Sequence, residues 1–303
     1  MVAGTAHLPT TKQLRYFVAL TEERHFGRAA ARCFVSQSAF SVAIQELESL
    51  LRANLVDRTN RSVTITAVGQ EVAVLARLCL RDLHTLVETA TSSGAPLQGP
   101  LRLGVIPTVA PFLLPKILPR LREAFPGLQL YLYEDVTQQL HQQLLDGALD
   151  LVILALPYPL TGVEEMELFN DRFLLAAHEG TALVDPTNFR LNRLNAGSVL
   201  LLREGHCLRE HAIEACKIRD SQKVNPFSAS SLLTLVEMVD ADLGVTFLPQ
   251  MAVDSGVLEK TRVATYPLDE KSHRTIGLVW RRGSPRGAEF RKLGEFIAEH
   301  RRD

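Results

Sequence analysis

The chain has 303 residues, of which 46% are hydrophobic and 22% charged, and its formal net charge is −1. That much apolar material fills two or three globular cores, which excludes a disordered chain. There is no run of 18 or more apolar residues, and Met1 to His7 lacks the charged-then-apolar layout of a leader, so a cytoplasmic rather than a membrane or exported protein is expected. Four cysteines in such a chain point to reduced, catalytic or sensing thiols rather than a structural disulfide framework.

Charge is unevenly spread. Residues 1–67 carry eight basic side chains against five acidic ones, a net +3. The same stretch reads as three short helices: Thr11 to Glu22 with Leu14, Phe17, Val18 and Thr21 on one face, then about Phe26 to Cys33, then Gln37 to Leu51 with Phe40, Ile44, Leu47 and Leu51 at helical spacing. Ser36 offers the cap of the third helix. From Leu55 to Thr66 the period changes to alternation around Asn60, which predicts a β-hairpin. Three helices and a hairpin in this order make a winged helix-turn-helix, in which the third helix enters the major groove and the wing meets phosphates or the minor groove. Ser36, Gln37, Ser38 and Ser41 on that helix, Lys12 and Arg28 on its neighbours, and Arg58 and Arg61 on the wing are the candidate DNA contacts. For Ser38 and Ser41 an ordinary solvated face is the competing reading.

Phe26-Gly27-Arg28-Ala29-Ala30, then Val35-Ser36-Gln37-Ser38-Ala39-Phe40-Ser41, Leu47-Glu48 and Arg58-Thr59 resemble the N-terminal domain of LysR-type transcription regulators. Ser38 stands where that family usually has proline, and Val42 where a polar residue or glycine is commoner.

Ala67 to about Ser93 is a long helical pattern, with Val72, Leu75, Ala76, Cys79, Leu80, Leu83, Leu86 and Val87 recurring at three and four. A helix of ~26 residues spans ~39 Å, too long and one-sided to be satisfied without a partner. The resemblance makes it the linker helix through which two chains dimerise. Ser92 to Pro100, with two glycines and two prolines, is the expected hinge.

Beyond it, strand-length apolar runs at Leu101–Ile106, Leu128–Tyr133 and Leu151–Leu156 alternate with helical stretches at about Lys116–Phe125 and Thr137–Leu145. This predicts an α/β domain with a mostly parallel sheet. The pattern repeats more loosely through Phe173–Ala177, Val199–Leu202, helices at Leu208–Cys216 and Leu232–Asp240, and Val245–Leu248, and closes with a strand at Arg274–Trp280 and a helix at Ala288–Arg301. The LysR resemblance implies two Rossmann-like subdomains of periplasmic-binding-protein type with a ligand cleft between them.

One stretch stands apart. Cys207 and Cys216 flank a helix-like segment in which Leu208, Ala212, Ile213 and Ala215 make an apolar stripe. Nine residues of helix rise ~13.5 Å, whereas a disulfide needs Cα atoms about 4.4–6.8 Å apart, so joining these cysteines requires the helix to unwind. Cys33 and Cys79, on apolar helical stripes, are expected to be small buried hydrophobes. Gly205-His206-Cys207-Leu208-Arg209 with Cys216 resembles the sensing segment of the OxyR, peroxide-responsive branch of the LysR family, and so do Ile106 to Val109, Tyr131 to Thr137, Gly244 to Pro249 and Arg274 to Val279. Glu210, His211 and Glu214 depart from the commoner pattern of that branch.

The resemblance implies a transcription regulator rather than an enzyme, with no cofactor and no metal. Cys207 is the peroxide-reactive thiolate and Cys216 the resolving thiol, with Thr108, Thr137, His206, Arg209 and Arg274 as supports. A helix start and the Arg274 cation are expected to lower the Cys207 pKa into the reactive range. Thr108 as a helix cap, Arg274 in a structural ion pair and His206 as a mere neighbour are the plainer alternatives. Implied partners are double-stranded DNA, hydrogen peroxide, further copies of the chain as dimer or tetramer, and RNA polymerase. The expected division is a DNA-binding domain at 1–67, a linker helix at 68–95 and a regulatory domain at 96–303, with subdomain I about 99–170 and 270–303 and subdomain II about 171–269. Two other classes compete: a LysR regulator that binds an organic effector, and a thiol peroxidase or disulfide oxidoreductase that carries a DNA-binding domain.

Overall fold

The computed structural model describes residues 8–58, 63–91, 97–185, 194–215, 218 and 221–301. By proximity the chain divides into two units, residues 1–94 with 145–148, and residues 95–144 with 149–303.

In the first unit α1 (Thr11–Glu23), α2 (Phe26–Arg32) and α3 (Gln37–Leu51) precede β1 (Val56–Arg58), β2 (Val63–Ile65) and the long α4 (Ala67–Thr91). Each of the first three helices opens on a side-chain cap. Thr10 and Gln13 form a reciprocal capping box, His25 Nδ1 accepts the Arg28 amide at 3.3 Å, and Ser36 Oγ accepts the Ala39 amide at 3.3 Å. The buried face of α1 is Tyr16, Phe17, Ala19 and Leu20, not the expected Leu14, Phe17, Val18 and Thr21, because Tyr16 stacks on Phe40 of α3 with ring centroids 5.1 Å apart. The hairpin has the expected antiparallel register, Val56 opposite Ile65 and Arg58 opposite Val63; its Asn60 turn lies outside the described residues. Glu48 of α3 holds the ribbon, its Oε1 accepting the Leu55 and Val56 amides at 2.8 and 3.1 Å. Thr66 caps α4 through the Gly69 amide at 2.9 Å, and Gly69 is required there, since a Cβ would lie 2.2 Å from the Leu55 carbonyl oxygen.

Among its described residues, helix α4 buries only the small Gly69, Ala73 and Ala76 within one chain. Leu75, Leu83, Leu86 and Val87 stand exposed, and so does Cys79, against expectation, because it lies on this same uncovered flank. Cys33 is half-buried.

The second unit contains β3 (Gly99–Val105), α5 (Ala110–Ala124), β4 (Leu128–Glu134), α6 (Thr137–Leu145), β5 (Leu151–Leu156), β6 (Val163–His178), β7 (Val199–Leu202), α7 (Cys207–Ala215), β8 (Val224–Ala229), α8 (Leu232–Asp240), β9 (Thr246–Pro249), α9 (Gln250–Asp254), β10 (Val263–Pro267), β11 (His273–Arg281) and α10 (Gly287–His300). The large sheet runs β10-β6-β11-β5-β3-β4, with β9 also on β6. Only β3–β4 and β3–β5 are parallel; β11 pairs antiparallel with β5 and β6, and β9 and β10 pair antiparallel with β6. The expected mostly parallel sheet is therefore corrected to a mixed one. The reason is β6, a 16-residue strand whose first part, Val163 to Arg172, pairs with β11, and whose second part, Phe173 to His178, is flanked by β9 and β10. It crosses from one half of the unit to the other. In the second half β7 pairs in parallel with β8, and Val199 to Leu202, Leu208, Leu235, Val236 and Phe247 share one apolar core.

Candidate functional site

Three residues singled out by the sequence occupy equivalent places. Thr108 lies in the turn after β3, Thr137 is the first residue of α6 after β4, and Cys207 is the first residue of α7 after β7. Carboxyl ends of strands in α/β sheets are where ligands bind, because the following helix starts present unpaired amides there. Before α7 the chain turns through Gly205 at φ +94°, a left-handed conformation that other residues rarely adopt. Thr108, Thr137 and Cys207 are 3%, 1% and 4% exposed.

Arg274 of β11 ties the turn to the crossing strand. Its Nη1 donates to Thr108 Oγ1 at 2.9 Å and its Nη2 to the Thr108 carbonyl at 2.9 Å. Its Nε donates to Asp171 Oδ2 at 3.0 Å, and Nη2 lies 2.9 Å from the same oxygen. Asp171 Oδ1 in turn accepts the Met251 amide at 3.0 Å. The ion pair is wholly enclosed, and burial pushes the Asp171 carboxyl up while Arg274 pulls it back. Thr108 does not cap α5, which begins without a side-chain cap.

Around Cys207 the balance differs from expectation. Burial pushes the thiol up; the Thr137 hydroxyl, Arg274 and the backbone of Ala155 pull it down, Glu210 adds to the push, and the net direction is up. The helix start and the cation are present, but removing the sulfur from water is the larger effect. His206 and His211, each 6% exposed, are both held below the ordinary histidine value, chiefly by burial. Arg203 adds to this for His206, and Arg274 for His211, against the attraction of Glu210. Thr137 Oγ1, His206 Nε2 and His211 Nδ1 are buried without a hydrogen-bond partner. Thr137 is close enough to Cys207 to favour a thiolate, yet lacks hydrogen-bond geometry to any protein group. Each such orphan costs about 1–3 kcal/mol, so the three polar atoms suit a small polar occupant.

Arg209 is not part of this arrangement. Its Nη1 donates to the Leu202 carbonyl at 3.1 Å, and it lines a separate cleft with Arg203, Ile213, Ile218 and Val224. Cys216 lies outside the described residues, as does Arg61. Two residues of the site escaped sequence reasoning. Asp171 is an acid flanked by the apolar Leu168-Phe169 and Phe173-Leu174-Leu175, a signal that buried charge is paired. His211 carries a subtler one, four residues beyond Cys207 on the same helical face.

In the first unit Lys12, Ser36, Gln37 and Ser38 are exposed and Ser41 is half-buried. Ser36 Oγ is engaged by the Ala39 amide and lies 3.1 Å from Ser38 Oγ. Arg28 is exposed but anchored, donating to the Glu23 carbonyl at 2.6 Å and pairing with its carboxylate at 3.4 Å. Arg58 closes β1.

Comparison with known proteins gives the same two parts. A family described as bacterial regulatory helix-turn-helix protein, lysR family, matches residues 11–70, and the LysR substrate binding domain matches residues 94–302. The chain is 38% identical over 288 residues to the HTH-type transcriptional regulator EstR of Acinetobacter baylyi, covering 94% of this chain and 95% of that one. It is 39% identical over 289 residues to the hydrogen peroxide-inducible genes activator of Haemophilus influenzae, covering 95% and 96%. A full-length OxyR variant from Pseudomonas aeruginosa has a similar structure, with TM-score 0.78 and 34% identity over 96% of this chain and 95% of that one. With both domain families matched and relatives spanning nearly its whole length, this chain belongs to the LysR family of helix-turn-helix transcriptional regulators, among its OxyR-like members.

Proposed function

We propose that the chain is a DNA-binding transcription regulator that senses hydrogen peroxide at Cys207. The observation that carries this reading is a buried cysteine at a helix start, beside the Thr137 hydroxyl, which is buried without a partner, and within reach of the Arg274 cation. Peroxide supplies both donors and acceptors for these groups. Cys207 Sγ attacks one peroxide oxygen; the S–O bond forms, the O–O bond breaks, and the thiol proton leaves with the second oxygen as water. The sulfenic acid is then attacked by the Cys216 thiol, which expels a second water and closes a disulfide. Thr108 and Thr137 hold the peroxide, His206 lines its site, and Arg274 offsets the negative charge that develops on sulfur and on the leaving oxygen. Because α7 is helical from Cys207 to Ala215, closing that disulfide unwinds it, and the refolded regulatory domain changes DNA binding and the transcription of oxidative-stress genes.

The DNA contacts are the exposed start of α3 (Ser36, Gln37, Ser38, with Ser41), Lys12 and Arg28, and the wing arginines Arg58 and Arg61. The division into a DNA-binding domain at 1–67, a linker helix at 68–95 and a regulatory domain at 96–303 follows. Pairing of two chains through α4 is supported by its exposed row of Leu75, Leu83, Leu86 and Val87, and the assembled dimer or tetramer acts with RNA polymerase in the cytoplasm. Among the described residues no helix is long and apolar enough to cross a membrane. The similar identity to EstR, a transcriptional regulator whose name does not mention peroxide, keeps open a second reading in which the regulatory domain takes an organic effector. Brief peroxide treatment followed by non-reducing peptide mapping tests the choice. One Cys207–Cys216 disulfide per chain, a changed DNA footprint, and loss of both in Cys207→Ser support peroxide sensing. No disulfide, with induction unchanged in Cys207→Ser, overturns it in favour of the organic effector.

A further inference from the structure

His211 is enclosed, one helical turn beyond Cys207, and its two ring nitrogens have different surroundings. Nε2 lies 3.0 Å from the Pro157 carbonyl oxygen. A carbonyl only accepts, so Nε2 carries the hydrogen, and in the neutral ring Nδ1 is a bare lone pair. That lone pair is buried and unpartnered. Both ends of this stretch of α7 meet the same surface: the Ala155 backbone acts on Cys207 while the Pro157 carbonyl holds His211, and Arg274 acts on both residues. Side chains four apart on a helix share a face, with Cβ atoms about 5–6 Å apart. Nucleophile, imidazole and an orienting acceptor on the far nitrogen are the parts of an activated-nucleophile site.

We propose that His211 Nδ1 takes the proton of the Cys207 thiol when the sulfur attacks peroxide, and returns it to the leaving oxygen. This rests on the peroxide-sensing reading above. The S–O bond forms as the O–O bond breaks; the S–H proton moves to Nδ1, directly or through the bound peroxide, and the imidazolium gives it to the departing hydroxide. The sum is thiol plus hydrogen peroxide to sulfenic acid plus water, with His211 restored. The chemistry explains how a thiol that burial keeps protonated can react, and why the acceptor must be held neutral before the attack. The groups facing the ring are Arg274 from β11, Glu210 and Glu214 on its own helix, and the Pro157 carbonyl; the cation beside it makes the imidazolium short-lived.

The test is the rate of Cys207 sulfenic acid formation by stoichiometric hydrogen peroxide, read by trapping with a dimedone-type reagent from pH 6 to 9.5 in the full-length reduced chain. Wild type is compared with His211→Gln, whose amide keeps a donor for the Pro157 carbonyl, and with His211→Leu, which does not. A positioned base contributes about 10²–10⁴-fold, so His211→Gln should lose on the order of 10² at pH 7. The variant's rate should climb about tenfold per pH unit as the thiol ionises unaided, while wild type stays flat from about pH 7. A His211→Gln rate and pH profile equal to wild type overturns the proton role, and loss in His211→Leu alone reduces His211 to positioning α7. No oxidation of Cys207 in wild type would instead overturn the peroxide reading itself, so the two failures are distinguishable.

Discussion

At the start of α3, Ser36, Gln37 and Ser38 stand in solvent, and Ser36 Oγ closes the helix on the Ala39 amide. At the start of α7, His206 and Cys207 are buried, and at the start of α6 the Thr137 hydroxyl is enclosed with no partner. These helix beginnings use short polar side chains in opposite surroundings. Where water is present, the side chains serve the helix and still face outward. Where it is absent, polar groups without protein partners store an energetic cost that a small ligand can relieve. The exposed start is stable when empty; the buried site is stable only to the extent that its charges are paired.

The comparison breaks most sharply at Asp171. Asp171→Leu leaves the enclosed Arg274 guanidinium without its carboxylate, and removing one member of a buried pair costs about 3–5 kcal/mol. Urea unfolding of the second unit should show a loss of this size, together with loosening of the turn at Thr108 that Arg274 clamps. A loss below about 1 kcal/mol would mean that water reaches the pair.

How much of this was legible beforehand follows from what each signal depends on. Short apolar strands such as β5 and β7 carry their own boundaries in the sequence, and Cys207, Thr108, Thr137 and Arg274 stood out by their neighbours. Of β6 only the second part was read, as a strand at Phe173–Ala177; the first was not, because Val163-Glu164-Glu165-Met166-Glu167 is too acidic to read as the start of a core strand, although its Glu164 pairs with Arg291 at 2.9 Å. Pro115 inside α5 concealed its first turns, and Pro226 concealed β8. The direction of the Cys207 pKa was read the wrong way round: helix start and cation are local features that pull it down, whereas burial, a property of the folded chain, outweighs them. His211 was visible as a departure from the family pattern, but its orphan nitrogen exists only once Pro157 meets the ring.

Acid sharpens the contrast. His206 and His211 are held below their ordinary value of 6.5, so below that pH the unfolded chain takes up protons that the folded one refuses. Stability from these groups is complete above about pH 6.5 and declines as pH falls beneath it, by up to about 1.4 kcal/mol per histidine per pH unit until the folded value is reached. Cys207 acts in the other direction: pushed above its ordinary 9.0, it contributes stability that is lost as pH rises past that value. Melting temperatures should therefore peak between the two limits, and His211→Gln should flatten the acid side. An acid limb unchanged in that variant would assign the pH dependence elsewhere.

Ser36→Ala tests the exposed helix start. Losing the cap should cost about 1 kcal/mol of stability, measured by urea midpoint, while peroxide reactivity of Cys207 stays as it is. Thr137→Val makes the matching change at a buried one, and its stability effect is the smallest expected and differs in sign. The hydroxyl it removes has no partner, and exchanging an unsatisfied buried polar group for an apolar one of the same shape is neutral or stabilising, within about 1 kcal/mol. Reactivity should move instead, because Thr137 is the first protein group that pulls the Cys207 thiol down, and each unit of thiol pKa is about a tenfold change in thiolate. Equal melting with slower trapping of Cys207 at pH 7.5 would show that the hydroxyl is kept for its action on sulfur and its ligand. A destabilised Thr137→Val with unchanged trapping would show that Thr137, like Ser36, serves its own helix.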